Sequence, residues 1–253
     1  DHLRQRQGRR RSRLMRLGID LGGSKTEIIA LAEDGRELLR QRIPTPQGDY
    51  MATVMAITGL VERAENTLGQ RGSVGVGIPG AESLSTGLIK NANSTCLIGK
   101  PLKRDLQALL QREVRLANDA NCFALSEAVD GSGQDARIVF GIILGTGVGG
   151  GIVINRQVVT GANAIAGEWG HNPLPLPSGD DLPLPACYCG RTGCVETYLS
   201  GPALAADHLR HTGQMLSASE IDRLAASGDA ACEASLCRYE ERLGRALAGV
   251  INL

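Results

Sequence analysis

Apolar residues recur along the chain with two spacings, and each spacing predicts a type of element. Strict alternation over residues 16–22, followed by two more β-type runs, predicts an antiparallel meander at the start of the fold. Apolar positions about 3.6 residues apart over 50–69 and 102–111 predict helices. Strands and helices go on alternating through the chain, so we expect an α/β fold.

The second half continues the alternation and adds one segment that fits neither element. Residues 137–144 and the run after them predict three strands, the last two joined by a turn at Asn155 and Arg156. Five prolines between residues 173 and 185 exclude a helix or a central strand, so we expect a loop there. A final helix is predicted from about Ala230 onwards.

Charge and composition exclude two classes of protein. The chain has no run of about 18 consecutive apolar residues, which excludes a membrane span. Its 27 basic and 27 acidic side chains cancel, which argues against a dedicated nucleic-acid binder. Seven arginines lie in residues 1–16, and we expect residues 1–14 to be a disordered basic extension. Without a secretory signal we expect the cytoplasm, where clustered cysteines bind metal more often than they form disulfides.

Two glycine-rich turns are candidates for phosphate binding. In residues 20–26, two glycines let backbone N–H groups approach an anion, and a lysine and two hydroxyls add donors. In residues 145–151, five glycines in seven positions cost considerable backbone entropy on folding, which favours a functional role. The first turn lacks the spacing of a P-loop or a dinucleotide fold, so it could be only a turn. The second could be a glycine-rich barrel corner. The candidate donors are Gly22, Gly23, Ser24, Lys25, Thr26, Gly145, Thr146 and Gly147.

Asn118 and Asp119 lie between a predicted strand and a predicted helix. Asp119 could be the N-cap of that helix and nothing more. It could also be a carboxylate at the carboxyl edge of an α/β sheet, where ligands usually bind. In that position it could take a proton from a substrate hydroxyl.

Cysteines and a histidine near the loop form the strongest candidate site. The set is His171, Cys187, Cys189 and Cys194, with the last three in the pattern C-x-C-G-x-x-G-C. Three thiolates and one imidazole suit tetrahedral zinc, and four protein ligands indicate a closed, structural site. Such a metal would also stabilise a proline-rich segment too polar to form a core of its own. Glu168 and Glu196 flank the ligands and would be held as hydrogen-bond acceptors for a polyol.

Seven motifs, taken in chain order, resemble those of the ROK family of bacterial sugar kinases and repressors, and most closely its fructokinases. The motifs are GIDLGGSKT, GIPG, KNANST, LANDAN, GTGVGGG, GEWGHNP and CYCGRTGCVE, and GEWGH with the cysteine motif is the most specific pair. The resemblance implies an actin-like, ribonuclease-H-like architecture of two α/β lobes, residues 15–118 and 119–253. It also implies that ATP and a sugar bind in a cleft between the lobes.

The resemblance also implies a role for each matching residue. Asp119 would be the general base, Asp20 would help to hold Mg2+, and the two glycine turns would bind the phosphates of ATP. The implied sugar ligands are Asn118, Glu168, His171, Glu196, Gly80 and Asn93. We therefore expect ATP-dependent phosphorylation of a hexose, fructose first, by a homodimer that uses ATP, Mg2+ and Zn2+ and binds no nucleic acid.

Two features leave alternatives open. Family members continue beyond such a last helix into a strand and a glycine-rich adenosine motif, so we expect the second lobe to be incomplete and the activity of this chain to be uncertain. The sugar could also be glucose, mannose or an N-acetylhexosamine. A sugar-responsive repressor or an inactive sugar-binding protein are further alternatives, although the basic extension is too short to be a DNA-binding domain.

Overall fold

The alternating segment that opens the fold is the middle strand of a five-stranded sheet. The computed structural model describes residues 15–92 and 94–252, and the chain divides after Asp119 into two units. The strands of the first unit are β1 (Met15–Leu21), β2 (Lys25–Leu31), β3 (Glu37–Pro44), β4 (Gly72–Ile78), β5 (Ala81–Glu82), β6 (Ile89–Lys90) and β7 (Val114–Asn118). The large sheet has the order β3-β2-β1-β4-β7, and β5 pairs with β6.

Strand direction in this sheet places the ends of β1, β4 and β7 at one edge. β1 pairs antiparallel with β2 and parallel with β4, and β4 pairs parallel with β7. The predicted meander β1–β3 is therefore present, and two parallel strands extend it. Because the carboxyl ends of parallel strands lie at the same edge, residues that follow them are well placed for ligand binding.

Two helices cover the sheet of the first unit, α1 (Tyr50–Leu68) and α2 (Leu102–Leu110). α1 begins where the Asp49 side chain accepts a hydrogen bond from the Ala52 N–H at 3.0 Å, and it ends at Gly69 with a φ of 66°. Its buried face includes Val54, Ile57, Leu60 and Val61, which belong to the same apolar core as alternate residues of β1 and β4. Burial on one face explains the 3.6-residue spacing seen in the sequence.

The second unit combines a small sheet with a helical layer. Its elements are α3 (Asp119–Val129), β8 (Ile138–Leu144), β9 (Val148–Ile154), β10 (Gln157–Val158), α4 (Glu196–Leu199), α5 (Gly201–Thr212), α6 (Ala218–Ala225) and α7 (Ala230–Ile251). The strands form an antiparallel sheet of order β10-β9-β8. Asn155 and Arg156 have φ values of 51° and 61°, as the turn of a two-residue hairpin requires.

The proline-rich segment 173–185 is a loop, as predicted, with one short 3₁₀ turn at Gly179–Asp181. In the part of the chain that the structure describes, the helices are too short or too polar to cross a bilayer. Residues 1–14, predicted to be a disordered extension, and Asn93, predicted to contact sugar, lie outside the described residues.

Candidate functional site

The four predicted metal ligands lie together in the second unit. The ligating atoms of His171, Cys187, Cys189 and Cys194 are all within 4.8 Å of one another. The Sγ atoms of Cys189 and Cys194 are 3.6 Å apart, and Nδ1 of His171 is 3.6 Å from Sγ of Cys187. A tetrahedron with metal–sulfur bonds of about 2.3 Å has edges of about 3.8 Å. The residues present therefore fit a tetrahedral metal such as zinc.

Tight backbone turns bring the three sulfurs together. The Cys187 N–H donates to the carbonyl of Arg191 at 2.8 Å, and Gly190 between them has a φ of 87°. That left-handed conformation favours glycine, which explains the glycine in the motif. Cys194 is anchored from the other side, because Val195 donates to the carbonyl of Asn172 at 2.9 Å. The cluster is thus built on the loop and on the segment around His171.

The three thiols differ in their surroundings. Cys187 and Cys194 are buried, whereas Cys189 is exposed. Burial raises the pKa of the Cys194 thiol to about 12. A hydrogen bond from the Arg191 N–H lowers the pKa of Cys189 below its usual value. A bound cation would favour the ionised form of all three, since the thiolate is the metal-binding form.

The second ring nitrogen of His171 has a partner that sequence reasoning missed. Nε2 is 3.0 Å from the hydroxyl of Tyr188, and the two rings meet edge to face with centroids 5.2 Å apart. We expected His171 to contact a sugar. Tyr188 lies between two metal ligands in the sequence, a position that could have drawn attention to it. Desolvation, and then the charge of Glu196, raises the pKa of Tyr188 to about 12.

Glu196, a predicted sugar ligand, contacts a predicted phosphate-binding turn. It is the first residue of α4, and its Oε2 accepts a hydrogen bond from the Val148 N–H at 2.9 Å. A Cβ atom added to Gly147 would lie 2.8 Å from the same oxygen, so the carboxylate packs directly on the turn. Glu168 is half-buried and directly precedes the 3₁₀ turn Trp169–His171. The second unit therefore brings Glu196 and Gly147 into contact.

The glycines of residues 145–151 divide into two groups. Those at 149–151 lie inside β9, where a side chain on Gly150 or Gly151 would collide with neighbouring segments: a Cβ on Gly150 would be 2.8 Å from the Trp169 ring, and one on Gly151 would be 2.8 Å from the Ala120 carbonyl. Close packing thus explains this half of the run. In the turn itself, the Gly145 N–H donates to the Gly147 carbonyl at 2.9 Å. Packing thus accounts for part of the glycine density for which we predicted phosphate binding.

The candidate phosphate donors of the first glycine turn differ in their exposure to solvent. Ser24 and Lys25 are exposed, whereas Thr26 is fully buried with its hydroxyl 2.8 Å from that of Thr45. The Thr26 hydroxyl is therefore used inside the fold, which removes it from our list of phosphate donors. Asp20, near the end of β1, is paired in register with Glu27. Partial desolvation, and then the charge of Glu27, raises the pKa of Asp20.

Asn118 and Asp119 mark the carboxyl end of β7. Asn118 is its last residue, and its side-chain amide donates to the Gly80 carbonyl at 3.2 Å. A Cβ on Gly80 would be 2.9 Å from the Lys90 carbonyl, so close packing requires glycine there. Asp119 is exposed and is the first residue of α3. The first unit therefore brings Asn118 and Gly80 together beside the candidate base.

Known proteins similar to this chain include a set of bacterial sugar kinases. The chain is 43% identical over 243 residues to the N-acetyl-D-glucosamine kinase of Salmonella typhimurium strain LT2, covering 94% of this chain and 80% of that protein. It is 43% identical over 244 residues to the N-acetyl-D-glucosamine kinase of Shigella boydii serotype 4, with the same two coverages.

Solved structures give the same grouping. The ROK hexokinase from Thermus thermophilus matches with a TM-score of 0.80 and 34% identity, over 94% of this chain and 78% of that one. A ROK glucokinase from Streptomyces griseus, solved with glucose and AMPPNP, matches with a TM-score of 0.74 and 28% identity, over 94% and 79%. The expected α/β fold of the actin-like type is confirmed by these matches. The ROK family model matches residues 16–253, and the chain belongs to the ROK family.

Proposed function

We propose that this chain is an ATP-dependent kinase of an N-acetylhexosamine, with N-acetyl-D-glucosamine as the first candidate. The observation that carries this choice is 43% identity, over 94% of the chain, to N-acetyl-D-glucosamine kinases. These relatives do not support our expectation of fructose, whereas an N-acetylhexosamine was among the alternatives. The transfer of a phosphoryl group from ATP to a sugar hydroxyl is common to all these candidates.

Asp119 is the proposed general base. A general base must lie within hydrogen-bond reach of the hydroxyl whose proton it accepts, so its orientation is the first requirement. Its position supports the role, because it is exposed at the start of α3 and directly follows a parallel strand. Asn118, held by its bond to the Gly80 carbonyl, is a proposed sugar ligand beside it. The alternative is that Asp119 only stabilises the start of α3 and has no role in catalysis.

Glu168, His171 and Glu196 are the proposed sugar ligands of the second unit. Glu168 and His171 lie at the two ends of one 3₁₀ turn, and Glu196 lies two residues after a proposed metal ligand. A zinc ion bound by His171, Cys187, Cys189 and Cys194 would fix this part of the chain, because all four positions of a tetrahedral ion are then taken by protein. The zinc ion would make this part of the site rigid. The sugar ligands themselves would bind and orient the substrate.

Phosphate binding is proposed for the exposed donors of the two turns. Ser24 and Lys25 of the first turn, in the first unit, and the backbone at 145–147, in the second unit, are each proposed to bind phosphate groups of ATP. Asp20 would help to hold Mg2+. In phosphoryl transfer, positioning and charge neutralisation provide most of the rate enhancement. A homodimer, the cytoplasm and the absence of a nucleic-acid partner stay predictions.

The test measures ADP release and sugar binding with one panel of sugars: N-acetylglucosamine, N-acetylmannosamine, glucose, mannose and fructose. We expect N-acetylglucosamine to give the highest kcat/KM and calorimetry to show that it binds. Asp119→Asn should lower kcat by about 10²- to 10⁴-fold while sugar binding persists. Asp130→Asn, which alters an exposed carboxylate just beyond the other end of the same helix, is the control.

Three results would contradict the proposal. A higher kcat/KM for fructose would restore the original expectation, and unchanged turnover in Asp119→Asn would remove that residue from the base role. Binding of N-acetylglucosamine without turnover by any sugar would favour an inactive sugar-binding protein.

A further inference from the structure

Tyr188 lies at the tip of the turn that carries the metal ligands, and its hydroxyl contacts one of them. It is preceded by Cys187 and followed by Cys189, and its side chain is 74% exposed. The hydroxyl lies 3.0 Å from Nε2 of His171.

The orientation of His171 determines what Nε2 can bind. Nδ1 faces the sulfurs, since it is 3.6 Å from Sγ of Cys187. When Nδ1 binds a metal, a neutral imidazole carries its proton on Nε2, which then donates a hydrogen bond. With the proton on Nε2, the phenol oxygen of Tyr188 would be the acceptor. A sugar hydroxyl that binds His171 must accept the same hydrogen bond.

We infer that the Tyr188 hydroxyl occupies the place of a sugar hydroxyl on Nε2 of His171, so that sugar binding exchanges one hydroxyl for the other. The inference rests on the proposed function, because it requires His171 to contact the sugar. Tyr188 then lowers the sugar affinity of the site because its hydroxyl competes with the sugar for Nε2. A sugar binds well only if it offers an acceptor that replaces the phenol.

Exposure and surroundings support an exchangeable contact. Partners that hold a metal-binding histidine in place are typically a carboxylate, a backbone carbonyl or a water, and their loss costs 10- to 100-fold in metal affinity. Tyr188 instead has a largely exposed side chain, which can turn away into solvent at small cost. Its hydroxyl is also within electrostatic influence of Glu196 and Glu168, the other proposed sugar ligands of this unit. The phenol is therefore in contact with one proposed sugar ligand and within electrostatic range of two others.

The test compares zinc-loaded wild-type chain with Tyr188→Phe, which removes only the hydroxyl. Calorimetry with N-acetylglucosamine should give a dissociation constant about two- to tenfold lower in the variant, the range that one net hydrogen bond accounts for. The rate of zinc transfer to a chromogenic chelator is the second readout, and it should stay within about twofold of wild type. Tyr50→Phe, which removes a phenol hydroxyl bonded to Asp105 in the first unit, is the matched control and should change neither value.

Each other outcome overturns the inference. Weaker sugar binding in Tyr188→Phe would make Tyr188 a direct sugar ligand, and unchanged binding would show that its hydroxyl does not compete. Zinc transfer faster by 10-fold or more would show that the phenol holds His171 for the metal. If wild-type chain binds no sugar at all, the proposed function fails first and this inference fails with it.

Discussion

Two anchors of different chemistry are proposed for the proline-rich segment 173–185. One, the metal anchor, is the candidate metal-ligand cluster of His171, Cys187, Cys189 and Cys194, which lies outside both ends of the segment. The other is an ion-pair network inside the second unit, centred on Asp181 of the segment and Arg242 of α7. Of the four leucines in the segment, only Leu174 is buried, so polar chemistry replaces a core in both places.

Two buried aspartates and four arginines make up the ion-pair network. Arg242, 3% exposed, donates to Asp181 at 2.8 Å and to Asp207 at 3.0 Å. Further partners at 2.7–2.8 Å are Arg245 for Asp181, and Arg210 and Arg238 for Asp207. Burial alone would raise the pKa of Asp181, but hydrogen bonds from the Ser178 N–H, Arg242 and Arg245 hold it below its usual value. The two carboxylates are therefore buried but fully paired.

The two anchors differ in what they share with the proposed site. His171 belongs to the metal cluster and is also a proposed sugar ligand, and Glu196 follows Cys194 by two residues. None of the residues of the ion-pair network is a proposed ligand. A change in the metal anchor should therefore alter both stability and sugar affinity, whereas a change in the ion-pair anchor should alter stability alone.

Cys194→Ala should have the strongest consequence, because it removes a buried ligand of the metal anchor. With free zinc at 1,000 times its dissociation constant, binding to the folded state contributes about 4 kcal/mol to the free energy of unfolding. We expect the variant to lose the bound zinc, that contribution and most sugar binding. Zinc analysis gives the stoichiometry, and urea titration followed by the fluorescence of Trp169, the single tryptophan, reports on the second unit.

Cys232→Ala is the matched control for this experiment. Cys232 is as buried as Cys194, at 1% exposure each, but lies on α7 and outside the cluster. Its loss should leave zinc and sugar binding unchanged and cost only packing. A Cys194→Ala variant that still binds one zinc with unchanged affinity would contradict the metal anchor.

Arg242→Met should come next, with a loss of about 3 kcal/mol in the free energy of unfolding. Removing one partner of a buried pair costs about 3 to 5 kcal/mol, and the lower end applies because Arg245 and Arg238 still pair with the two aspartates. Sugar affinity should stay within about twofold of wild type. Arg115→Met, which breaks an exposed pair with Glu113, should cost less than about 1 kcal/mol. A sugar affinity that falls with stability would remove the distinction between the anchors.

The sequence predicted one anchor and missed the other for a physical reason. Metal ligands must lie within a few ångströms on tight turns, so their spacing is short and carries a signal. The ion-pair network joins residues 181, 207 and 242, and no local pattern links them. One signal was available: Arg238, Arg242 and Arg245 recur on one face of the last helix, next to apolar positions that pack inwards. Basic residues on a packed face indicate buried acidic partners.

Local patterns predicted the larger elements because burial on one face imposes a period. β5 and β6, of two residues each, are too short to show one and were not predicted. The glycine run at 145–151 shows the opposite case, a clear pattern whose cause is ambiguous. Its density has two causes, a turn and the close packing of β9, and composition cannot distinguish them. Tyr188 was missed because its contact with His171 depends on how a turn directs one exposed side chain.

Gly147→Ala should have the smallest consequence for stability. It tests whether the glycine turn positions Glu196, which follows the metal ligand Cys194 by two residues. The new Cβ would lie 2.8 Å from Oε2 of Glu196, the far end of a flexible side chain, so the carboxylate can move and the free energy of unfolding should fall by less than about 1 kcal/mol. Glu196 would then leave the Val148 N–H, and sugar binding should weaken roughly two- to tenfold. Gly145→Ala is the control in the same turn, because its Cβ would meet nothing within 4 Å. If both variants bind sugar equally well, the contact between Glu196 and the turn does not position the carboxylate for the substrate.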